Sequence, residues 1–468
     1  MSDNPSRVAV VSRPGLVYPS NAAAPFDPPS PVYAAVEDLF RALGLDRARS
    51  GTPEWNPLGD VIAPGDRVVV KPNFVTNRYF HEELRGDRLD CSSTHGAVLR
   101  PVLDYAVRAL RGRGRVDVVD TPVEGCDLDA VVEGLGVRAT IERLRARAAP
   151  IDFLDLRHFR VVPTMALDDV RGLGRSWNLG FLLRRSLPGD PRGYQVVTLA
   201  DDSAFEEVPE RFARLCFHRS HPGTPRPHHA RGRHEYSIPR TVLEADVILN
   251  LPKLKTHKKT GLTLAQKAVI GLSNEKYWLP HYTAGTPAEG GDELPERPPL
   301  AERIEARLSR FPLPGDHSLI ARAPRIGAGA LVTDGSWQGN DTVWRTIADL
   351  NRVIARADRE GVVRDRPARR TLVIADGLVA GEGEGPLGAT PRRAGLLLGG
   401  SDAALVDLVG ARAMGFDPDA MPMIRRALAG PLALGAGAGA LEELWDGPRP
   451  EEPFVAPRTW PALLARPA

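Results

Sequence analysis

The sequence predicts an α/β protein built on a mostly parallel, doubly wound sheet with helices on both faces. Two observations indicate this fold. Short runs of aliphatic and β-branched residues recur along the chain, and apolar runs of this length are typical of strands buried on both faces. Patterns with apolar residues three or four apart lie between several of these runs and predict amphipathic helices. Strand and helix therefore alternate, as expected for parallel strands joined by helical crossovers.

The predicted strands are residues 8–12, 67–71, 116–120, 151–156, 246–251, 371–375 and 396–399. The predicted helices are residues 31–43, 97–110, 129–148, 342–357 and 403–414. Two polar, Pro- and Gly-rich stretches are too long to be simple connections and are expected to form a lid or small subdomain. The predicted domain organisation begins with an N-terminal half (1–162) and an insertion (163–240). A second half (241–277 with 327–430) follows, interrupted by another insertion (278–326), and a peripheral tail (431–468) ends the sequence.

Composition excludes several classes of protein. The chain has 468 residues, of which 42% are apolar and 26% charged, so it can form a core and is not disordered. The net charge is +2 and only 6% of residues are aromatic, which argues against a nucleic-acid partner. Three widely spaced cysteines, Cys91, Cys126 and Cys216, are too few for a four-thiolate iron-sulfur cluster. No segment resembles a membrane span or signal peptide, so we expect a soluble, unprocessed cytoplasmic protein without a membrane partner.

Polar residues follow four of the predicted strands. Lys71 and Asn73 follow the second strand, Asp120 ends the third, Lys253 follows the fifth and Asp376 follows the sixth. Ligands of open α/β sheets bind at the carboxyl ends of the strands, so these residues predict a site there. A buried ammonium needs a partner. Lys71 is therefore expected either to contact a ligand or to pair with Asp120.

The most basic segment contains five Lys and His residues within seven positions: Lys253, Lys255, His257, Lys258 and Lys259. Thr260, Gly261 and a predicted helix with Lys267 in its first turn follow. Lysines and a hydroxyl around a helix start are typical of an anion site, although a solvated basic loop is the alternative. The spacing is not that of a phosphate-binding P-loop.

Histidines and acidic residues are the remaining candidates. Five of the 11 histidines, including His218 and His221, lie in residues 218–234, where a metal site and a solvated loop are both open interpretations. The candidate ligands there are His228, His229 and His234. His95 and His281 lie where loops meet other elements. In the Gly-rich run 376–386, Asp376 and Glu384 could bind a hard cation with Asp120, or balance Lys71 and Lys255. Asp402 is interpreted as a helix cap, and Asp407 could face the cleft.

Together these segments resemble the family known as domain of unknown function 362. The matching segments, in the family's order, are Val68-Val69-Val70-Lys71-Pro72-Asn73, Thr94-His95, Pro252-Lys253-Leu254-Lys255-Thr256-His257, residues 376–386 and residues 401–407. Resemblance to a subset without iron-sulfur clusters extends to Arg233-His234-Glu235-Tyr236, Trp278-Leu279-Pro280-His281 and residues 287–293. Membership implies an α/β domain. Many relatives carry ferredoxin-like cysteine motifs, which this chain lacks, and relatives usually have Asn after Lys267, where this chain has Ala268-Val269-Ile270.

These observations predict an enzyme that binds a small anionic metabolite, carrying carboxylate or phosphate, at the strand ends beneath the insertions. Lys71, His95 and His257 are the catalytic candidates, because imidazole titrates near neutral pH. The substrate-binding candidates are Asn73, Lys255, Lys258, Thr260, Lys267 and His281. A lyase, isomerase or redox step in specialised bacterial metabolism is expected, with a divalent metal ion left open. The alternative is a non-catalytic protein that binds a nucleotide or an acidic partner. Substrate and oligomeric state do not follow from the sequence.

Overall fold

The structure is a computed structural model, and it describes residues 6–20, 23–79, 82–161, 184–218, 224–298, 334–429 and 441–464. Its centre is one ten-stranded sheet. The strands, in chain order, are β1 (Ser6–Ser12), β2 (Arg67–Pro72), β3 (Arg115–Asp120), β4 (Ile151–Asp155), β5 (Val247–Leu251), β6 (Lys253–His257), β7 (Gly261–Thr263), β8 (Arg370–Glu384), β9 (Gly388–Gly400) and β10 (Leu441–Asp446).

The order of strands across the sheet is β10-β1-β9-β8-β5-β2-β3-β4, with β6 paired to β8 and β7 paired to β6. From β8 to β4 all neighbouring strands are parallel. The β9 strand runs antiparallel to both β1 and β8. The predicted fold, an α/β protein with a mostly parallel central sheet, is therefore confirmed.

Helices cover both faces of this sheet. The helices are α1 (Pro31–Ala42), α2 (Gly96–Leu110), α3 (Leu128–Gly134), α4 (Val137–Arg145), α5 (Ala265–Ala268), α6 (Val343–Arg356), α7 (Ala403–Ala413) and α8 (Pro422–Leu428), with short helices at Asp87–Asp90 and Arg240–Leu243. Val68 and Val70 of β2 join the core beneath α1 and α2, whereas Val69 joins the opposite core with Leu350 of α6. Alternate residues thus enter different cores, and this is why the strand shows a continuous apolar run.

Three predicted elements differ from the structure. The predicted helix 129–148 is two helices, α3 and α4, because Gly136 between them has a positive φ of 64°. The acidic Gly-rich run 376–386, predicted to follow a strand, continues β8 to Glu384 because β9 pairs along that length. The basic segment forms the β6–β7 hairpin, and the helix that carries Lys267 begins at Ala265, later than predicted.

The two predicted insertions contact each other in their described parts. Strand Leu215–Cys216 of the first pairs with Tyr282–Thr283 of the second. Within the first insertion, strand Tyr194–Leu199 pairs antiparallel with strand Arg233–Pro239 near the end of the insertion. Residues 162–183, 219–223 and 299–333 lie outside the described residues. In the predicted tail, β10 pairs with β1 at the sheet edge, and Phe454 and Trp460 are buried in a core.

The described part of the chain contains no helix with both the length and the apolar composition needed to cross a lipid bilayer.

Candidate functional site

The carboxyl ends of the parallel strands bring the first buried ion pair together. Lys71 closes β2 and Asp120 closes the neighbouring β3, and their Nζ and Oδ1 atoms lie 2.9 Å apart with both side chains almost fully buried. Asp120 also accepts hydrogen bonds from the main-chain N–H groups of Phe74 and Thr121. Of the two roles open for Lys71 in the sequence, the structure shows the ion pair with Asp120.

The main chain at Gly271 covers this pair. A Cβ atom at this position would lie 2.5 Å from Asp120 Oδ1 and 2.6 Å from Lys71 Nζ. The Gly271 carbonyl also accepts a hydrogen bond of 3.0 Å from the Thr121 N–H group. Only a residue without a side chain fits here, so the glycine allows the chain to close over the pair.

A second buried ion pair joins Lys253 to Asp376, with Nζ 3.1 Å from Oδ2 and neither side chain exposed. Lys253 also donates a 2.5 Å hydrogen bond to the Tyr18 hydroxyl, which in turn donates to Asp376. Burial and the charge of Asp376 raise the pKa of Tyr18 well above its ordinary value. Tyr18 has no sequence signal, because it lies in an irregular segment after β1.

His95 lies against the second ion pair and contacts Asp376 and Tyr18. Its main-chain N–H donates to Asp376, and its ring stacks on Tyr18 with centroids 4.0 Å apart. Its Nδ1 accepts from the Ala97 N–H and so caps α2. Burial, with the charge of Lys253, lowers the pKa of His95 to about 3. At this pKa the ring is neutral near pH 7, and a role for His95 in proton exchange stays a prediction.

The carboxylates singled out in the sequence each contact a different lysine. Besides the two buried pairs, Glu384 lies 2.8 Å from Lys258 Nζ in a half-buried pair. One predicted alternative paired Asp376 with Lys255, whereas in the structure Asp376 contacts Lys253. Across the described residues, no three His, Cys, Asp or Glu side chains are grouped as metal ligands. The residues Asp120, Asp376 and Glu384 therefore do not fit a shared divalent metal ion.

A second group, named here the basic cluster, consists of Lys255, His257, Lys259, Lys267, Lys276 and His281. Lys255 and His257 are alternate residues of β6 and share one face, and Lys267 lies on α5. Mutual repulsion shows that these groups are neighbours. The charge of Lys267 contributes to lowering the pKa of Lys255, His257, Lys276 and His281. Four members were predicted, whereas Lys276 was missed and Lys259 was noted only within the basic run.

Three lysines of the basic cluster donate to neutral oxygen atoms, and Lys259 does so to the Asp334 carbonyl. Lys255 donates to Asn73 Oδ1 at 3.1 Å and to the Ser92 carbonyl. Lys276 donates to Thr121 Oγ1 at 2.7 Å and to the Ile270 carbonyl. Burial lowers the pKa of Lys255 and of Lys276 to about 7, although Asp120 partly offsets the effect. Each amine is therefore close to losing its proton at neutral pH.

Lys267 differs from these three lysines. Its side chain is partly exposed, and its Nζ has no hydrogen bond or ion pair with any residue that the structure describes. Burial and the charge of Lys259 lower the pKa of Lys267 to about 8. Nearby, Thr263 Oγ1 on β7 is buried without a hydrogen-bond partner among the described residues, and Thr263 is the register partner of Lys255.

The two imidazoles of the basic cluster present opposite hydrogen-bonding groups. His257 Nδ1 accepts a 3.0 Å hydrogen bond from the Lys259 N–H, so the neutral ring carries its proton on Nε2. His281 Nδ1 lies 2.9 Å from the Leu279 carbonyl and must donate to it, so its Nε2 is an acceptor. Burial lowers the pKa of both rings well below 6.5. His257 is thus a neutral hydrogen-bond donor, which differs from the predicted proton-exchanging role.

Other predicted residues lie outside the basic cluster. Thr260 Oγ1 donates to the Leu262 carbonyl within the hairpin, and Lys258 is paired with Glu384. Asp402 caps α7, as predicted. Asp407 accepts from the N–H groups at the start of α5, at Ala265 and Gln266, and burial raises its pKa to about 7. It therefore positions the helix that carries Lys267.

The predicted histidine ligands form a separate chain of contacts. His229 Nδ1 lies 3.1 Å from His234 Nδ1, and His234 Nε2 lies 2.9 Å from Glu206. His228 contacts Glu235 and stacks on Trp278. His221 lies outside the described residues. These histidines contact one another, carboxylates and a carbonyl, and they do not enter the basic cluster.

We predict that Gly271→Ala lowers the free energy of unfolding by about 2–4 kcal/mol, because the added methyl group must separate Lys71 from Asp120 or displace the main chain. Chemical denaturation measures the change. Gly125→Ala is the matched control, since a Cβ there meets no atom within 4 Å and the change should stay within about 0.5 kcal/mol. Equal losses in the two variants would show that Gly271 does not seal the pair.

We predict that Lys267→Met changes how stability depends on pH. The pKa of Lys267 is about 8 when folded, below the ordinary 10.5, so between these values the unfolded chain binds more protons than the folded one. Stability contributed by this lysine therefore rises with pH. The wild-type free energy of unfolding, minus that of Lys267→Met, should increase by about 1–3 kcal/mol across this range. A difference that is constant with pH would contradict the lowered pKa.

Comparison with known proteins gives a family match. The model of the family described as "Domain of unknown function (DUF362)" matches residues 197–412. No curated protein matches the chain. Among solved structures, a crystal structure of a Thermotoga maritima protein is similar at 13% identity, covering 81% of this chain and 56% of that one, with a TM-score of 0.32. The chain thus spans little more than half of that protein, and a TM-score this low adds nothing to the fold or the function.

The matched range includes β6, α5 and β8, and so Lys253, the basic cluster and Asp376. It begins after Lys71 and His95, so it is narrower than the resemblance that the motifs suggested. The match supports the resemblance to the DUF362 family over residues 197–412.

Proposed function

We propose that the chain is an enzyme that binds a small metabolite through its carboxylate or phosphate group at the basic cluster. One contrast carries this proposal. Lys71, Lys253 and Lys258 each have a carboxylate partner. Lys255, Lys267 and Lys276 have none among the residues that the structure describes, although they lie together and burial lowers the pKa of each. Buried ammonium groups are costly without a counter-charge, and an anionic ligand would supply it.

The three lysines would hold the anion by charge-assisted hydrogen bonds. Asn73 contacts Lys255 and would orient it towards the ligand. The Nε2 proton of His257 would donate to a ligand oxygen, and His281 Nε2 would accept from a hydroxyl or protonated group. The ligand chemistry that fits is therefore a small acid that carries a second polar group. No step is assigned to a metal ion, because the carboxylates do not form a shared ligand set.

Amines that lose a proton near neutral pH support catalysis over simple binding. Lysines with lowered pKa values are typical general bases and nucleophiles, and they cluster at functional sites more than on ordinary surfaces. A lyase or isomerase step that moves a proton at carbon suits such amines. The alternative is a non-catalytic binding protein. It would hold its ligand with the same lysines but would not convert it into a product.

We predict that oxalate or phosphate raises the melting temperature of the protein by about 2–4 °C at about 100 times Kd, relative to chloride at equal ionic strength. The effect should weaken as the pH rises through the lowered lysine pKa values of about 7–8, because the amines lose the charge that attracts the anion. Differential scanning fluorimetry across pH measures both effects.

Two variants make this experiment specific. Lys267→Met should weaken anion affinity by about 10–100-fold, since it removes one charged hydrogen bond. Lys258→Met lies outside the basic cluster and should retain the affinity within about twofold. If no anion stabilises the protein, or if both variants lose affinity equally, the proposed site is wrong. Binding without conversion of any small acid in a substrate screen would favour the non-catalytic function.

A further inference from the structure

Lys267 is the amine of the basic cluster that is placed to attack a ligand. Lys255 and Lys276 each donate two hydrogen bonds to fixed oxygen atoms. Lys267 makes none within the described chain and is partly exposed. An amine acts as a nucleophile through its lone pair, so it must lose a proton and must be able to approach the ligand. Lys259 donates to the Asp334 carbonyl, so among the four lysines of the basic cluster Lys267 is the one that meets the second requirement.

The surroundings of Lys267 favour loss of that proton. The α5 helix is packed against α6, α7 and β7, and Asp407 of α7 is directed to the N–H groups of Ala265 and Gln266. The charged group that most affects Lys267 is Lys259, from the β6–β7 turn. Its charge and the burial of the site lower the pKa of Lys267 to about 8. A cationic neighbour and removal from water are the two standard means of activating an amine nucleophile.

We propose that Lys267 attacks the carbonyl carbon of a 2-oxo acid and forms an imine with it. This inference rests on the proposed function and specifies its substrate class. The carboxylate of the acid would contact Lys255 and Lys276, which leaves its neighbouring carbonyl for Lys267. In this placement two lysines hold the acid, and the attacking amine is the one that makes no hydrogen bond or ion pair with a described residue.

The step balances with no other reactant than solvent water. The Nζ lone pair forms the N–C bond, and the carbonyl π pair moves to oxygen, which takes the proton that the nitrogen loses. The C–O bond of this carbinolamine then breaks, and the leaving oxygen takes a second proton from solvent water and departs as water. The nitrogen lone pair forms C=N while the nitrogen keeps its remaining proton, which gives the protonated imine. His257 Nε2–H is available to hydrogen-bond the oxygen as charge develops on it. A protonated imine withdraws electrons from the adjacent carbon, which fits a lyase or isomerase step.

The test is reductive trapping on the full-length protein. Wild-type protein is incubated with glyoxylate or pyruvate and cyanoborohydride, and the modified residue is identified by peptide mass spectrometry. We expect one adduct per chain, located at Lys267, and suppression of it by oxalate, which competes for the cations but has no ketone or aldehyde. Adducts spread over surface amines, or insensitive to oxalate, would overturn the inference.

Lys267→Arg separates this inference from the proposed function. Arginine keeps a positive charge but does not form the imine, so trapping at this position is abolished, while oxalate should still raise the melting temperature. If oxalate fails to stabilise the wild-type protein, the anion site itself is wrong. If oxalate stabilises it but no adduct forms at Lys267, only the nucleophile is wrong. Oxalate competition uses the wild type alone, so the test holds even if the variant misfolds.

Discussion

An ammonium group that the fold withdraws from water must be neutralised or must lose its proton, and this constraint organises the strand ends. At Lys71 and Lys253 the fold supplies a buried carboxylate, Asp120 and Asp376, from a neighbouring strand. Removing one partner from such a pair typically costs about 3–5 kcal/mol, because the other charge is left buried. At Lys255 and Lys276 no carboxylate is supplied, and the same constraint is met by a lowered pKa. The two groups of lysines are therefore two outcomes of one requirement.

The parts of the fold that could be predicted are those whose cause is local. Apolar runs such as that of β2 reflect burial on both faces, and three-to-four spacing reflects a helix on a sheet. The run 376–386 was harder, because Gly and acidic residues have low strand propensity, and the pairing of β8 with β9 overrides it. The strand structure of the basic segment 253–259 was also hard to predict from local sequence. Nothing local shows that β6 pairs with β8, whose residues lie more than a hundred positions later.

The sequence predicted that the candidate site lies at the strand ends. It did not predict which side chains contact one another there. Parallel strands place Lys71 beside Asp120, so their pair was among the expected alternatives. Asp376 contacts Lys253 rather than Lys255 because Lys253 is its register partner across β6 and β8, whereas Lys255 lies opposite Gly381. Tyr18 was missed because it lies in an irregular segment, and Lys276 because it begins a three-residue 3-10 helix, which is too short to show the periodicity of a buried face. His95 and His257 kept their predicted location, but burial changes their protonation, which a sequence does not show.

In the proposed function, the lysines without a carboxylate partner would couple ligand binding to proton uptake. In the absence of a ligand, the basic cluster lowers its repulsion by holding fewer protons, as the pKa values of Lys255, Lys267 and Lys276 show. A bound anion would favour the charged form of each amine, so binding and protonation would occur together. An amine could remain neutral in the complex if neighbouring lysines already supplied the positive charge that the anion needs. Lys255 and Lys276 are held by fixed oxygen atoms and would contact the anion in their charged form. Lys267, with a pKa of about 8, keeps its proton more readily than these two amines, so its attack on a carbonyl carbon would become faster as the pH rises towards 8.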